Sequence, residues 1–141
     1  MSKTKVTLAT LALGAAVAFA GPAFADKMKA TLDSASEVPA NTSAGKGTAD
    51  IDYDAASKKL SWKLTYSGLS GPATAAHFHG PAEAGKNAGV AVAIPNATSS
   101  PAEGSATLTD AQAADLVAGK YYVNVHTAAN PGGEIRGQVT K

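Results

Sequence analysis

Cysteine is absent from this chain of 141 residues. No disulfide can hold the fold, although the amino terminus looks like an export signal and small exported domains often rely on such bridges. A metal bound only to the native state could supply part of the missing stability. No block of like charge and no basic amphipathic stretch occurs, which argues against a nucleic-acid footprint. No apolar run is long enough for a stable membrane span. The segment Gly85-Lys86-Asn87-Ala88-Gly89 contains glycine but lacks a phosphate-loop pattern, and no G-x-S-x-G marks a nucleophilic serine. Histidine is scarce as well, with only three in the chain.

The first 25 residues have the layout of a secretory signal peptide. Lys3 and Lys5 form a basic start, 6–19 is an apolar run without charge, and Ala23-Phe24-Ala25 is a small-x-small cleavage signal. No cysteine follows to take a lipid anchor. The expected mature chain is 26–141, one domain located in the periplasm or outside the cell. Removing Lys3 and Lys5 leaves 10 basic and 11 acidic residues, a net charge of about −1.

The mature chain reads as all-β. Alternating runs separated by turn residues predict an antiparallel Greek-key sandwich or barrel. Strands are expected at 28–32, 48–53, 59–66, 73–79, 89–94, 104–108, 120–126 and 134–140. The short link 54–58 makes the second and third a hairpin. One helix interrupts them near 110–118. Thr109 and Gln112 form a capping box, Ala113, Ala114, Leu116 and Val117 an apolar stripe, and Gly119 a stop. It is expected to cross from one sheet to the other. Trp62, Tyr53 and Tyr66 sit at core phase. Tyr121 and Tyr122 point to opposite faces, one to the core and one towards a polar patch.

All three histidines fall on two of these strands. His77 and His79 are two apart and share a face, while Phe78 takes the other. His126 shares a face with Asn124 and Tyr122, opposite Val123 and Val125. If the strands are neighbours with their apolar faces on one core, three imidazoles meet on the far side. Such a set suits copper first and zinc second. The alternative is a hydrogen-bonded polar patch without metal. Glu134 is the leading protein candidate for a fourth ligand, although an ion pair with Arg136 is the preferred reading of it. Asn124 is a candidate for orienting a ligand from behind. Met28 is read as core rather than as a soft ligand, and Glu37 has no assigned chemistry. A metal shared between two chains in a homodimer is also compatible with three ligands per chain.

Several segments together resemble the CHRD domain, a family named after chordin and common in exported bacterial proteins. They are Leu32-Asp33-Ser34-Ala35-Ser36-Glu37-Val38-Pro39, the stretch from Gly68-Leu69 through Ala76-His77-Phe78-His79-Gly80-Pro81, and the long run from Tyr122 through His126 and Asn130-Pro131-Gly132-Gly133-Glu134 to Gly137. The resemblance implies a β-rich immunoglobulin-like or superoxide-dismutase-like sandwich over 26–141. It implies no settled activity. The histidines are also similar in type and order to the copper ligands of copper-zinc superoxide dismutases. The chain departs from that pattern in having no further histidine to bridge to zinc, no cysteine, and a different spacing from His126 to Arg136. Three functions follow as expectations: metal handling or resistance through His77, His79 and His126, a copper redox enzyme, or a metal-free adhesion or envelope module.

Overall fold

The computed structural model describes residues 14–16 and 24–141. The expected signal peptide therefore lies largely outside the described residues. Eight strands and one helix follow in the order β1 (Asp26–Asp33), β2 (Lys46–Asp54), β3 (Lys59–Ser67), β4 (Ala73–His79), β5 (Val90–Ala93), β6 (Ala102–Thr107), α1 (Asp110–Val117), β7 (Tyr122–Thr127) and β8 (Ile135–Gln138). Every pairing is antiparallel. Among the described residues, no helix is long and apolar enough to cross a membrane.

The strands form one sheet in the order β5-β4-β7-β8-β1-β2-β3-β6. It curls into a nearly closed barrel. Strands distant in sequence lie side by side, such as β3 with β6 and β4 with β7, as a Greek-key order requires. The period-2 pattern explains the inside. Leu60, Trp62 and Leu64 of β3 point inward, as do Met28, Ala30 and Leu32 of β1. Trp62 meets Phe78 of β4 edge-on, with ring centroids 5.3 Å apart. Met28 and Tyr53 are core residues, as expected, while Tyr66 packs against the core from a partly exposed position.

The barrel's open seam lies between the edge strands β5 and β6. The segment linking them is tied to β3, where the Tyr66 hydroxyl donates to the Ala97 carbonyl at 2.7 Å. The helix braces the same region. Its capping box forms as expected, with Gln112 N–H donating to Thr109 Oγ1 and Thr109 N–H donating to Gln112 Oε1. The Gln112 amide then donates to the Ala91 carbonyl of β5. The expectation of a crossing between two sheets needs correction. The ladder is continuous, so the helix instead carries the chain from the β6 edge to a position between β4 and β8.

At Gly137, β8 passes very close to β1. A Cβ there would collide with the Thr31 carbonyl and the rest of its backbone. Neither strand can yield without losing ladder bonds. Gly137→Ala is therefore expected to destabilise the fold by about 3 kcal/mol, read as a lower urea midpoint at unchanged slope.

Candidate metal centre

β4 and β7 are direct neighbours. Their register pairs His77 with Asn124, His79 with Tyr122 and Ala75 with His126. Phe78, Val123 and Val125 fill the core from the inner face. His77, His79 and His126 therefore stand together outside the barrel. One ring nitrogen from each lies within 4.8 Å of the other two. His77 Nδ1 and His126 Nε2 are 3.0 Å apart. A metal with bonds of about 2.0 Å in tetrahedral array needs donor atoms about 3.3 Å apart. The cluster requires only small ring movements to reach that spacing.

Two of the rings are anchored from behind. His79 Nδ1 lies 2.9 Å from the Ala88 carbonyl, and His126 Nδ1 lies 2.8 Å from the Pro131 carbonyl. A carbonyl only accepts, so each Nδ1 carries the proton. In the neutral ring that leaves the Nε2 lone pair free. His79 Nε2 is buried and has no hydrogen-bond partner among the described residues. A buried nitrogen with an aimed, unused lone pair is a donor set up for a cation.

The anchors themselves are pinned. The loop 80–89 folds back over the outer face of the sheet. There the Tyr122 hydroxyl and the Ala88 backbone bond each other. The Tyr122 ring stacks on His79 at 4.9 Å, with the planes within 2°. The guanidinium of Arg136 lies 3.9 Å from the centre of the same Tyr122 ring. Arg136 also donates to the Lys86 carbonyl and to Asn87 Oδ1, fixing the loop. Its charge is balanced by Glu37, 3.2 Å away in a buried pair. Burial pushes the Glu37 carboxyl up, against the pull of Arg136.

The second anchor, Pro131, belongs to the turn after β7. Glu134 holds this turn. Its carboxylate is fully buried and accepts from Ser43 Oγ, Ser70 N–H, Ser70 Oγ, Thr127 Oγ1 and Asn130 Nδ2. Burial raises its pKa, but those hydrogen bonds outweigh it and bring the value down to about 2. Gly133 has φ 129°, and a Cβ there would collide with Glu37 Oε1 and the Asn124 amide.

Both readings of Glu134 made from the sequence thus need correction. It does not stand among the three imidazoles, because its oxygens are engaged elsewhere. It does not pair with Arg136, whose partner is Glu37. Asn124 is buried in the row between His77 and Arg136, where its amide donates to the Gly132 carbonyl at 3.5 Å. The split of the tyrosines is as expected, with Tyr121 in the core and Tyr122 against the histidines. Sequence reasoning missed Glu37 and the two anchoring carbonyls. The signal for Glu37 was Arg136 itself, since a guanidinium on a tightly packed strand requires a buried counter-charge.

Burial lowers the pKa of both His77 and His79, and the neighbouring imidazoles push in the same direction. Both rings thus hold the neutral form that ligation needs.

No curated protein and no solved structure matches the chain. The family model for the CHRD domain matches residues 28–139, far more than half of the sequence. The match spans both strands that carry histidines, both anchoring loops and the buried Glu37, Glu134 and Arg136, so the chain belongs to the CHRD domain family.

Proposed function

We propose that this protein is an exported metal-handling domain that binds one transition-metal ion through His77, His79 and His126. The observation that carries the reading is the pair of anchored rings, each of which sets a nitrogen within 4.8 Å of the other's and of a nitrogen of His77. Three neutral imidazoles and no carboxylate make a borderline donor set. For divalent ions the intrinsic order then favours copper over zinc, and a protein outside the cytosol meets metals without tight buffering. Three protein ligands leave a position for water or for a ligand from outside. Storage, delivery and protection against copper are the roles that such a site fits.

The test is thermal melting of the mature chain with Cu(II), Zn(II) and chelator. Binding to the native state alone raises the midpoint by mass action. An unchanged midpoint and an unchanged spectrum with both metals would refute the reading.

The pH dependence follows from the same rings. His77 and His79 have folded-state pKa values below the ordinary imidazole value of 6.5. The unfolded chain therefore binds more protons near pH 6.5 and just below it. Stability rises with pH across that window and falls as acid protonates the buried imidazoles. Metal competes with the same protons, so it is retained at pH 6.5 and released at more acid values. Metal content after dialysis at a series of pH values reads this directly, and release beginning well above pH 7 would contradict it.

A further inference from the structure

The three ligands are not equivalent. His79 and His126 are each tied through Nδ1 to a backbone carbonyl, in two separately pinned loops. His77 has no such tie. Among the described residues, the one hydrogen-bond contact of its ring is to His126, through Nδ1 at 3.0 Å. Since His126 Nδ1 donates to Pro131, its neutral ring can only accept at Nε2. The proton between the two rings therefore sits on His77 Nδ1. The Nε2 of His77 has no hydrogen-bond partner among the described residues and, unlike His79 Nε2, is not fully buried.

Resting on the proposed metal site, we infer that His77 is its movable ligand and engages the ion through Nδ1, whereas His79 and His126 engage through Nε2. The ion takes the place of the proton that joins His77 to His126. His77 Nδ1 gives that proton to water, and its solvent-facing Nε2 takes one up. The ring stays neutral and changes tautomer. The other two rings keep their Nδ1–H and their carbonyls. The ion thus rests on two fixed nitrogens and one that can swing away. This arrangement suits hand-over, because a donor atom from an incoming partner can replace His77 while the other two still hold the ion.

Long-range proton–nitrogen correlation spectra of the wild-type mature chain test this, with Zn(II) as the diamagnetic probe. The expected result is a tautomer change at His77 alone, from Nδ1–H to Nε2–H, with the zinc-dependent nitrogen shift at His77 Nδ1 and at Nε2 of the other two. Zinc-dependent shifts with His77 bound through Nε2, or a tautomer change at His79 or His126, would overturn the inference and leave the metal site standing. Spectra indifferent to zinc and to Cu(I) would overturn both. Release to a chelator gives a second readout. His77→Ala should keep zinc-dependent shifts at His79 and His126 and lose metal at least about tenfold faster than wild type. Loss of all shifts in His77→Ala, or an unchanged release rate, would count against the movable ligand.

Discussion

Alanine at His126 abolishes the metal-induced rise in melting temperature. The ring is the link between His77, 3.0 Å away, and the turn that anchors it through Pro131. Without it, only one anchored ring, His79, and the untied His77 remain, and they cannot hold an ion against water and buffer as the two anchored rings together can. Metal at a thousandfold excess over its Kd stabilises the native state by about 4 kcal/mol. In a domain of this size that corresponds to a shift on the order of 15 °C. The variant should show none of it, while its metal-free midpoint stays close to wild type because His126 is only partly buried and lies outside the core. Calorimetric scans of both proteins with and without Cu(II) decide the matter. A full shift in the variant would remove His126 from the site.

Glu134→Ala produces the largest loss of stability. The carboxylate is fully buried and accepts from four side chains and one backbone N–H. Removing it leaves those donors facing one another and an empty space. Each buried donor left without a partner costs about 1–3 kcal/mol. Even with some relaxation, the total loss is about 4 kcal/mol or more. Urea unfolding measures it, and a change under about 1 kcal/mol would contradict the buried network. The same residue fixes an acid limit. Its folded pKa of about 2 lies below the ordinary carboxyl value of 4.5, so its contribution is complete above pH 4.5 and is lost as the pH falls towards 2. Glu134→Ala should flatten that part of the stability profile. The variant should also bind metal more weakly, because the turn bearing the Pro131 carbonyl loses its support.

These two residues show which parts of the molecule could be read in advance. The phase of β4 and β7 is local. Phe78 between two histidines, and Val125 beside His126, decide which face is wet. Any pairing that buries Phe78, Val123 and Val125 together must gather the imidazoles outside. The role of Glu134 is not local. Its partners Ser43 and Ser70 are 91 and 64 residues away, brought in by loops whose paths no periodicity encodes. Arg136 and Glu37 are 99 residues apart and meet only because β8 lies beside β1. Two residues on, Arg136 was the nearer partner for Glu134 along the chain. Geometry instead gave each its own set of bonds. The continuous ladder was also beyond reach of the pattern, since alternation looks the same in a sandwich and in a barrel.

His77 and His126 stand 49 residues apart in the chain. A covalent bridge closing a ring of that length would confine the unfolded polypeptide by about 4 kcal/mol at room temperature. In a protein without cysteine, an ion gripped from β4 and β7 would clamp the same two points, but as a fastening that can be undone. The molecule's working lifetime would then follow the supply of metal around it, long where the ion is plentiful and shorter where it is scarce.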